Sequence, residues 1–149
     1  FDAFRKPLLE KLQYSSDQDL ASIAEKALKE TKYHLKHSSE WVIRLGDGTD
    51  ESHIKIQESL STLYRYSHEL FFEDESDLLL RKSKIVPELS AVKLEWEKTV
   101  KDVFTMAGIS IPENNWKFEG GRQGRHSEHM GYLLADLQYM QRTYPNMEW

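Results

Sequence analysis

Cysteine is absent from the 149 residues of this sequence. Neither a disulfide framework nor a metal site with thiolate ligands can therefore be built from it. The sequence also has no apolar run long enough to span a bilayer, no stretch typical of a secretory signal and no N-x-Ser/Thr acceptor. We therefore expect a cytoplasmic protein that does not enter a membrane.

The sequence also has fewer basic than acidic residues. Lys and Arg number 20 against 25 Asp and Glu, which gives a formal net charge of −5 at pH 7. This balance argues against a general binder of nucleic acids or of anionic membranes. No catalytic triad pattern, dinucleotide fingerprint, nucleophile elbow or metalloprotease helix is present either.

No stretch alternates with period two for long enough to predict a strand. Spacings of three and four instead predict an all-α bundle, and the length suits a single helical domain over residues 1–149. The predicted helices cover about residues 2–12, 19–46, 50–71, 78–80, 87–107 and 127–143, with a loop over residues 110–125.

Local signals predict where these helices begin and end. The predicted N-terminal caps are Ser15 or Ser16, then Thr49 or Asp50, then Ser76. Glycines are expected to end two helices: Gly46, at a position that tolerates a left-handed conformation, and Gly108. The inward side of the last helix is predicted to carry Met130, Leu133, Leu137, Met140 and Tyr144.

Residues 29–48 carry the most unusual pattern. Two tracks of inward positions, spaced alternately three and four apart, run along this helix and are apolar at both ends but polar in the middle. Burial of such polar groups must be offset by hydrogen bonds, ion pairs or a metal. We therefore predict a polar layer inside the bundle, composed of Glu30, Thr31, Tyr33, His34 and His37.

This polar layer could be half of a metal site or a hydrogen-bonded layer without metal. Di-iron proteins with bundle cores use Glu-x-x-His on each of two helices. Here Tyr33 stands three residues after Glu30, and His34 comes one position late. No other Glu is followed by His at the required spacing. We favour a layer without metal and expect neither a metal ligand nor a catalytic residue in this chain.

A second cluster follows the glycine-rich loop GGRQGR at residues 120–125. A metal or anion site would use its imidazoles and the positive potential of its arginines and of the helix N-terminus. However, the loop lacks the spacing and the preceding strand of a phosphate-binding loop. We therefore predict that the cluster caps the helix and contacts a partner subunit. Its members are Arg122, Arg125, His126, Glu128 and His129.

Three segments resemble a known family in their order and spacing. They are KETKYHLKHSSEWVIRLGDGTDESH (29–53), TLYRYSHELF (62–71) and GGRQGRHSEHMGYLLADLQYMQRTYP (120–145). They resemble the non-catalytic C subunits of bacterial phenylacetyl-CoA epoxidases, and the resemblance extends over the whole chain. Because subunits of that family begin well upstream of Phe1, we expect this chain to be the C-terminal portion of a larger subunit.

The resemblance implies a ferritin-like helical fold and membership of a multicomponent monooxygenase that epoxidises the ring of phenylacetyl-CoA. It implies that the di-iron centre lies in a homologous catalytic A subunit and that a separate reductase subunit supplies electrons. This chain would then be a structural subunit without a cofactor of its own. The off-register spacing of Glu30, Tyr33 and His34 agrees with an incomplete ligand set.

Two other functions stay open at this point. One is a ferritin-like di-iron oxygenase component with its own metal site, and the other is a helical protein-interaction module. We also expect self-association of this chain, because apolar positions on the helices at residues 19–46 and 50–71 would be partly uncovered without further bundle helices.

Overall fold

The computed structural model describes residues 1–113 and 117–148 of the chain. Within these residues all regular structure is helical and no strand occurs, so the prediction of an all-α protein is confirmed. Two 3₁₀ helices lie at Tyr64–Phe71 and Gly121–Gln123. The α-helices are Asp2–Leu12 (α1), Gln18–Gly46 (α2), Asp50–Leu63 (α3), Glu75–Lys82 (α4), Leu89–Met106 (α5), His129–Leu137 (α6) and Tyr139–Thr143 (α7).

The chain divides into two compact units, Phe1–Lys117 and Phe118–Trp149. The first unit contains α1 to α5 and fits a ferritin-like helical bundle. The second contains α6 and α7. The assignment of residues 1–149 to one domain stays a prediction, and residues 114–116 of the predicted loop lie outside the described part.

The start of α2 differs from the prediction. Asp17, and not Ser15 or Ser16, caps this helix, because its carboxylate accepts a hydrogen bond from the Leu20 amide at 3.0 Å. The two serine hydroxyls donate elsewhere: Ser15 to the carbonyl oxygen of Ile85 at 2.7 Å and Ser16 to that of Ser83 at 2.8 Å. They therefore attach the α1–α2 turn to the segment that follows α4.

The helix after α2 is shorter than predicted. Thr49 caps α3 by accepting a hydrogen bond from the Ser52 amide at 3.2 Å, which confirms one of the two predicted caps. The α-helix ends at Leu63, and Tyr64–Phe71 continues as a 3₁₀ helix. Downstream, the capping box of α4 uses Asp74 and Asp77, and the predicted cap Ser76 instead donates its amide to Asp74.

The end of α5 follows the prediction closely. Gly108 has φ +66°, which places it in the left-handed region. The Gly108 amide donates to the carbonyl oxygen of Thr105 at 3.2 Å, and the Ile109 amide donates to that of Phe104 at 3.1 Å. These two bonds form a Schellman ending, and Ile109, the residue after the glycine, is buried.

The core of the first unit forms where α1 packs on α2 and α5. Phe4 of α1 and Val92 and Trp96 of α5 are its buried centre. Phe71 of the 3₁₀ helix meets two of them edge-on, with ring centroids 5.5 Å from Phe4 and 5.1 Å from Trp96. An ion pair from Lys11 Nζ to a Glu95 oxygen, at 2.7 Å, joins α1 to α5 at the rim of this core.

Gly46 serves packing, although a left-handed helix end was predicted for it. It is the last residue of α2 and is buried against the end of α5. A β-carbon at this position would lie 2.2 Å from the carbonyl oxygen of Ala107. The start of α3 is attached to the same residue, because Nδ1 of His53 lies 2.7 Å from the carbonyl oxygen of Gly46.

The second unit is open to solvent. The predicted helix over residues 127–143 is interrupted at Gln138, which separates α6 from α7. The prediction of an inward apolar side is wrong for the described residues, since only Met130 is half-buried. The exposed members are Leu133, Leu137, Met140 and Tyr144. In the described part of the chain, no helix has both the length and the apolarity that a bilayer crossing requires.

Candidate functional site

The predicted polar layer on α2 is mostly at the surface. Thr31 is the one member that is fully buried, and its hydroxyl has no hydrogen-bond partner among the described residues. Glu30, Tyr33 and His37 are exposed, and His34 is half-buried. The structure therefore does not place Glu30, Tyr33 or His37 in the core of this chain. A polar layer within a larger assembly stays a prediction.

The physical reason for this difference is the rotational position of the predicted track around the helix. The inward positions of α2 are Ala24, Leu28, Thr31, Leu35, Val42 and Gly46. The predicted track through Glu30 and His37 runs one residue away from these positions, which is a rotation of about 100° around an α-helix. Its member Ile23 is already 62% exposed.

The exposed side chains of α2 form an aromatic ladder, which we define as Tyr33, His37 and Trp41. The rings of Tyr33 and His37 stack with centroids 6.2 Å apart, and His37 meets Trp41 edge-on at 6.4 Å. The Arg44 guanidinium lies 5.8 Å from the centre of the Trp41 ring. These contacts follow from i, i+4 spacing on one helix. They arrange a continuous surface of flat rings.

The candidate ligands for a metal are not brought together. His34 Nε2 lies 3.8 Å from a Glu30 oxygen, which is an ion pair only when the histidine is protonated. In residues 1–113 and 117–148, no three His, Asp or Glu side chains are grouped closely enough to hold a metal ion. What the arrangement offers among the described residues is a contact surface.

The second predicted cluster lies in a loop with a defined backbone. Gly120 and Gly124 have φ of +98° and +86°, and the carbonyl oxygen of Gly120 accepts from the amides of Gln123 and Arg125, both at 2.9 Å. The Arg125 side chain packs so closely over Gly120 that a β-carbon there would lie 2.8 Å from its Cδ. This turn explains why glycine is needed at both positions.

The members of this cluster are displayed to solvent. Arg122, Arg125, His126, Glu128 and His129 are all exposed. Glu128 stands at the N-terminus of α6 without a side-chain capping bond. The cluster is therefore accessible to solvent and lies on a loop of defined conformation. Its contact with a partner subunit stays a prediction.

An interior cavity that is partly open to solvent, and that sequence reasoning missed, lies between α1, α2, the 3₁₀ helix and α5. Its volume is about 280 Å³. Burial raises the pKa of the Tyr64 hydroxyl on its wall, and the nearby Glu97 carboxylate adds to this rise. The aromatic lining residues are Phe1, Tyr64, Trp96 and Phe104, and the aliphatic ones are Leu35, Val42, Leu70, Val100 and Val103.

Comparison with known proteins identifies the family. Residues 1–149 match the family described as phenylacetic acid catabolic protein. The chain belongs to the phenylacetic acid catabolic protein family. The resemblance recognised in the sequence is thereby confirmed at the level of the family.

A member of this family in Escherichia coli strain K12 is 38% identical to the chain over 148 residues. That protein is named as the C subunit of 1,2-phenylacetyl-CoA epoxidase. The match covers 99% of this chain and 60% of the E. coli protein. The chain therefore spans about three fifths of the length of this relative.

Proposed function

We propose that this chain is part of the structural, non-catalytic subunit of a phenylacetyl-CoA epoxidase in aerobic phenylacetate breakdown, acting in the cytoplasm. The observation that carries the proposal is the 38% identity to the C subunit of the E. coli epoxidase along 99% of the chain. The family match over residues 1–149 supports the same catabolic route.

In this proposal the chemistry is divided between subunits. The di-iron centre lies in a homologous catalytic A subunit, a reductase subunit supplies electrons, and this chain holds the catalytic subunit in place. The sequence supports this division because Tyr33 occupies the position at which a di-iron motif beginning at Glu30 would need histidine. The alternative is that the remainder of the subunit supplies further iron ligands, and a metal assay tests this.

The surfaces of this chain suit a scaffold. The aromatic ladder presents flat rings, which are favoured in protein interfaces because they bury a large area at low entropic cost. The α6–α7 segment exposes apolar side chains and carries few charges. Exposed apolar patches of this kind typically mark sites of protein contact.

Co-purification of the full-length subunit with its di-iron homologue is the decisive test. We expect an untagged full-length subunit to co-elute with a tagged catalytic homologue at fixed stoichiometry. Replacement of Arg122 and Arg125 by Ala should weaken this association without lowering the melting temperature. Replacement of Lys98 and Lys101 by Ala, exposed on α5, is the matched control and should leave it unchanged.

Two results would contradict the proposal. If the full-length subunit pairs with no di-iron homologue, a general helical interaction module becomes the better explanation. If the purified subunit holds about two irons per chain, as di-iron proteins do, it is an oxygenase component in its own right. Iron content is measured on the same preparation that is used for co-purification.

A further inference from the structure

We propose that the interior cavity of the first unit binds a small, uncharged aromatic molecule that carries a hydrogen-bond acceptor. The cavity takes no part in the scaffold function proposed above, so the two proposals stand independently. Four elements of one unit, α1, α2, the 3₁₀ helix and α5, contribute its walls.

The size of the cavity sets the size of its ligand. Its volume of about 280 Å³ lies just below the range of about 300–1,000 Å³ typical of ligand pockets. An apolar cavity of about 150 Å³ is already large enough to take up benzene. One ring with a short substituent therefore fits, whereas a nucleotide-sized molecule does not.

The walls favour an aromatic ring. Four of the lining residues are aromatic, and the Tyr64 and Trp96 rings lie nearly parallel with centroids 6.2 Å apart. Rings of this kind attract a further ring through edge-to-face and offset stacking contacts. The aliphatic side chains between them provide dispersion contacts and no competing polar group.

The few polar groups select for an uncharged acceptor. The hydroxyls of Ser38, Ser67 and Thr99 donate to carbonyl oxygens of their own helices. The Tyr64 hydroxyl makes no hydrogen bond to any described residue and stays protonated at neutral pH, so it can donate to a ligand. The Asp2 carboxylate, which lines the same cavity, lies 3.8 Å from the Arg5 guanidinium, and none of the lining side chains is cationic, so an anion would lose its hydration there without a partner.

The test uses the full-length subunit and two fluorinated probes observed by ¹⁹F NMR. We expect 4-fluorobenzyl alcohol to bind saturably at one site, with a dissociation constant of about 1 mM or lower. The anion 4-fluorobenzoate should bind at least about tenfold more weakly, because no lining side chain offers a positive charge to its carboxylate. Tyr64→Phe should weaken binding of the alcohol about fivefold, the usual effect of one hydrogen bond.

A pair of matched serine variants tests the location. Ser38→Phe introduces a ring at the cavity wall and should weaken binding at least about tenfold, because the added volume occupies the site. Ser22→Phe makes the same change on an exposed part of α2 that does not line the cavity, and should have no effect. Circular dichroism melts confirm that both variants fold.

Three results would overturn the proposal. Absence of saturable binding would show that another segment of the full-length subunit fills the cavity. Equal binding to Ser38→Phe and Ser22→Phe would place the ligand elsewhere. Equal binding of the alcohol and the benzoate would refute the stated ligand class, and Tyr64→Phe gives an independent check if Ser38→Phe does not fold.

Discussion

At the scale of single residues, the contact between Gly46 and Ala107 fixes the distance between the ends of α2 and α5. The atom that a β-carbon at Gly46 would meet first is a backbone oxygen, which cannot move aside as a flexible side chain could. We expect Gly46→Ala to lower the free energy of unfolding by about 1–3 kcal/mol, the usual range for overpacking. Urea denaturation measures this.

A glycine elsewhere in the chain provides the control for that change. A β-carbon at Gly131 in α6 would meet no atom within 4 Å. Gly131→Ala should therefore leave stability unchanged or raise it by up to about 1 kcal/mol through helix propensity. If Gly46→Ala and Gly131→Ala had equal free energies of unfolding, the close approach at Gly46 would make no contribution to stability.

Tyr64 provides a residue-scale prediction about pH. Its pKa is raised above the ordinary value of 10.0 by burial and, secondarily, by Glu97. The folded protein then holds the phenolic proton more tightly than the unfolded chain, so this contribution to stability is complete below pH 10 and is lost as the pH rises through the folded-state pKa. Replacement of Tyr64 by Phe should remove this part of the loss of stability at alkaline pH.

The measurement compares the wild type with Tyr64→Phe by urea denaturation at several pH values from neutral to alkaline. The free energy of unfolding of the wild type relative to that of the variant should be constant up to about pH 10, the pKa of free tyrosine, and fall above it. A difference that stays constant through the alkaline range would contradict a raised pKa.

At the scale of elements, the cap of α2 leads to a third prediction. Asp17→Ala removes the acceptor for the Leu20 amide and should cost about 1 kcal/mol, within the usual range for a lost N-cap. Asp19→Ala removes an exposed charge from the same first turn without breaking a capping bond, and should cost clearly less. Thermal melts of the two variants, made side by side, show whether Asp17→Ala lowers stability more than Asp19→Ala does.

The elements also show what sequence could predict here. Thr49 and Gly108 were predicted correctly because a cap and a left-handed end depend on neighbouring residues alone. Asp17 was missed as the cap because three consecutive residues, at positions 15–17, each have a side chain that can cap a helix. The two serines are instead hydrogen-bonded to carbonyl oxygens that are distant in sequence, which local patterns do not reveal. Gly46 was misassigned for a similar reason, since its role depends on a residue 61 positions away, at Ala107.

The candidate sites were less predictable than the helices. The predicted track through Glu30 and His37 lies one residue, or about 100° of rotation, from the buried positions of α2, so these side chains are at the surface. The interior cavity could not be predicted at all, because residues of four separate elements line it. The loop at Gly120 was identified from its glycines, but its exposure depends on tertiary structure.

At the scale of the whole molecule, exposed apolar side chains predict self-association. Trp41 and Leu45 on α2 and Ile54 and Leu63 on α3 are all exposed. Burial of each large apolar side chain is worth about 1.5–3 kcal/mol, so a few of them can hold a dimer together. We expect a two-fold dimer of this chain at micromolar concentration, measured by sedimentation velocity.

A variant and its control make this prediction specific. Replacement of Trp41 and Leu45 by Lys should shift the sedimentation coefficient to that of a monomer. Leu94→Lys changes a more exposed apolar residue, on α5, and should leave the dimer intact. A wild-type chain that sediments as a monomer without binding an apolar dye would refute the prediction.

The division of the chain into two units also has a consequence for amide hydrogen exchange. The described residues of the second unit include none that is buried, and α6 and α7 are short helices of 9 and 5 residues. Helices of this length are marginal without packing, so their amides should exchange with deuterium quickly while those of α5 stay protected. Any partner that covers α6 would slow that exchange. The deuterium uptake of one peptide from α6 would therefore report the fraction of the protein that is bound.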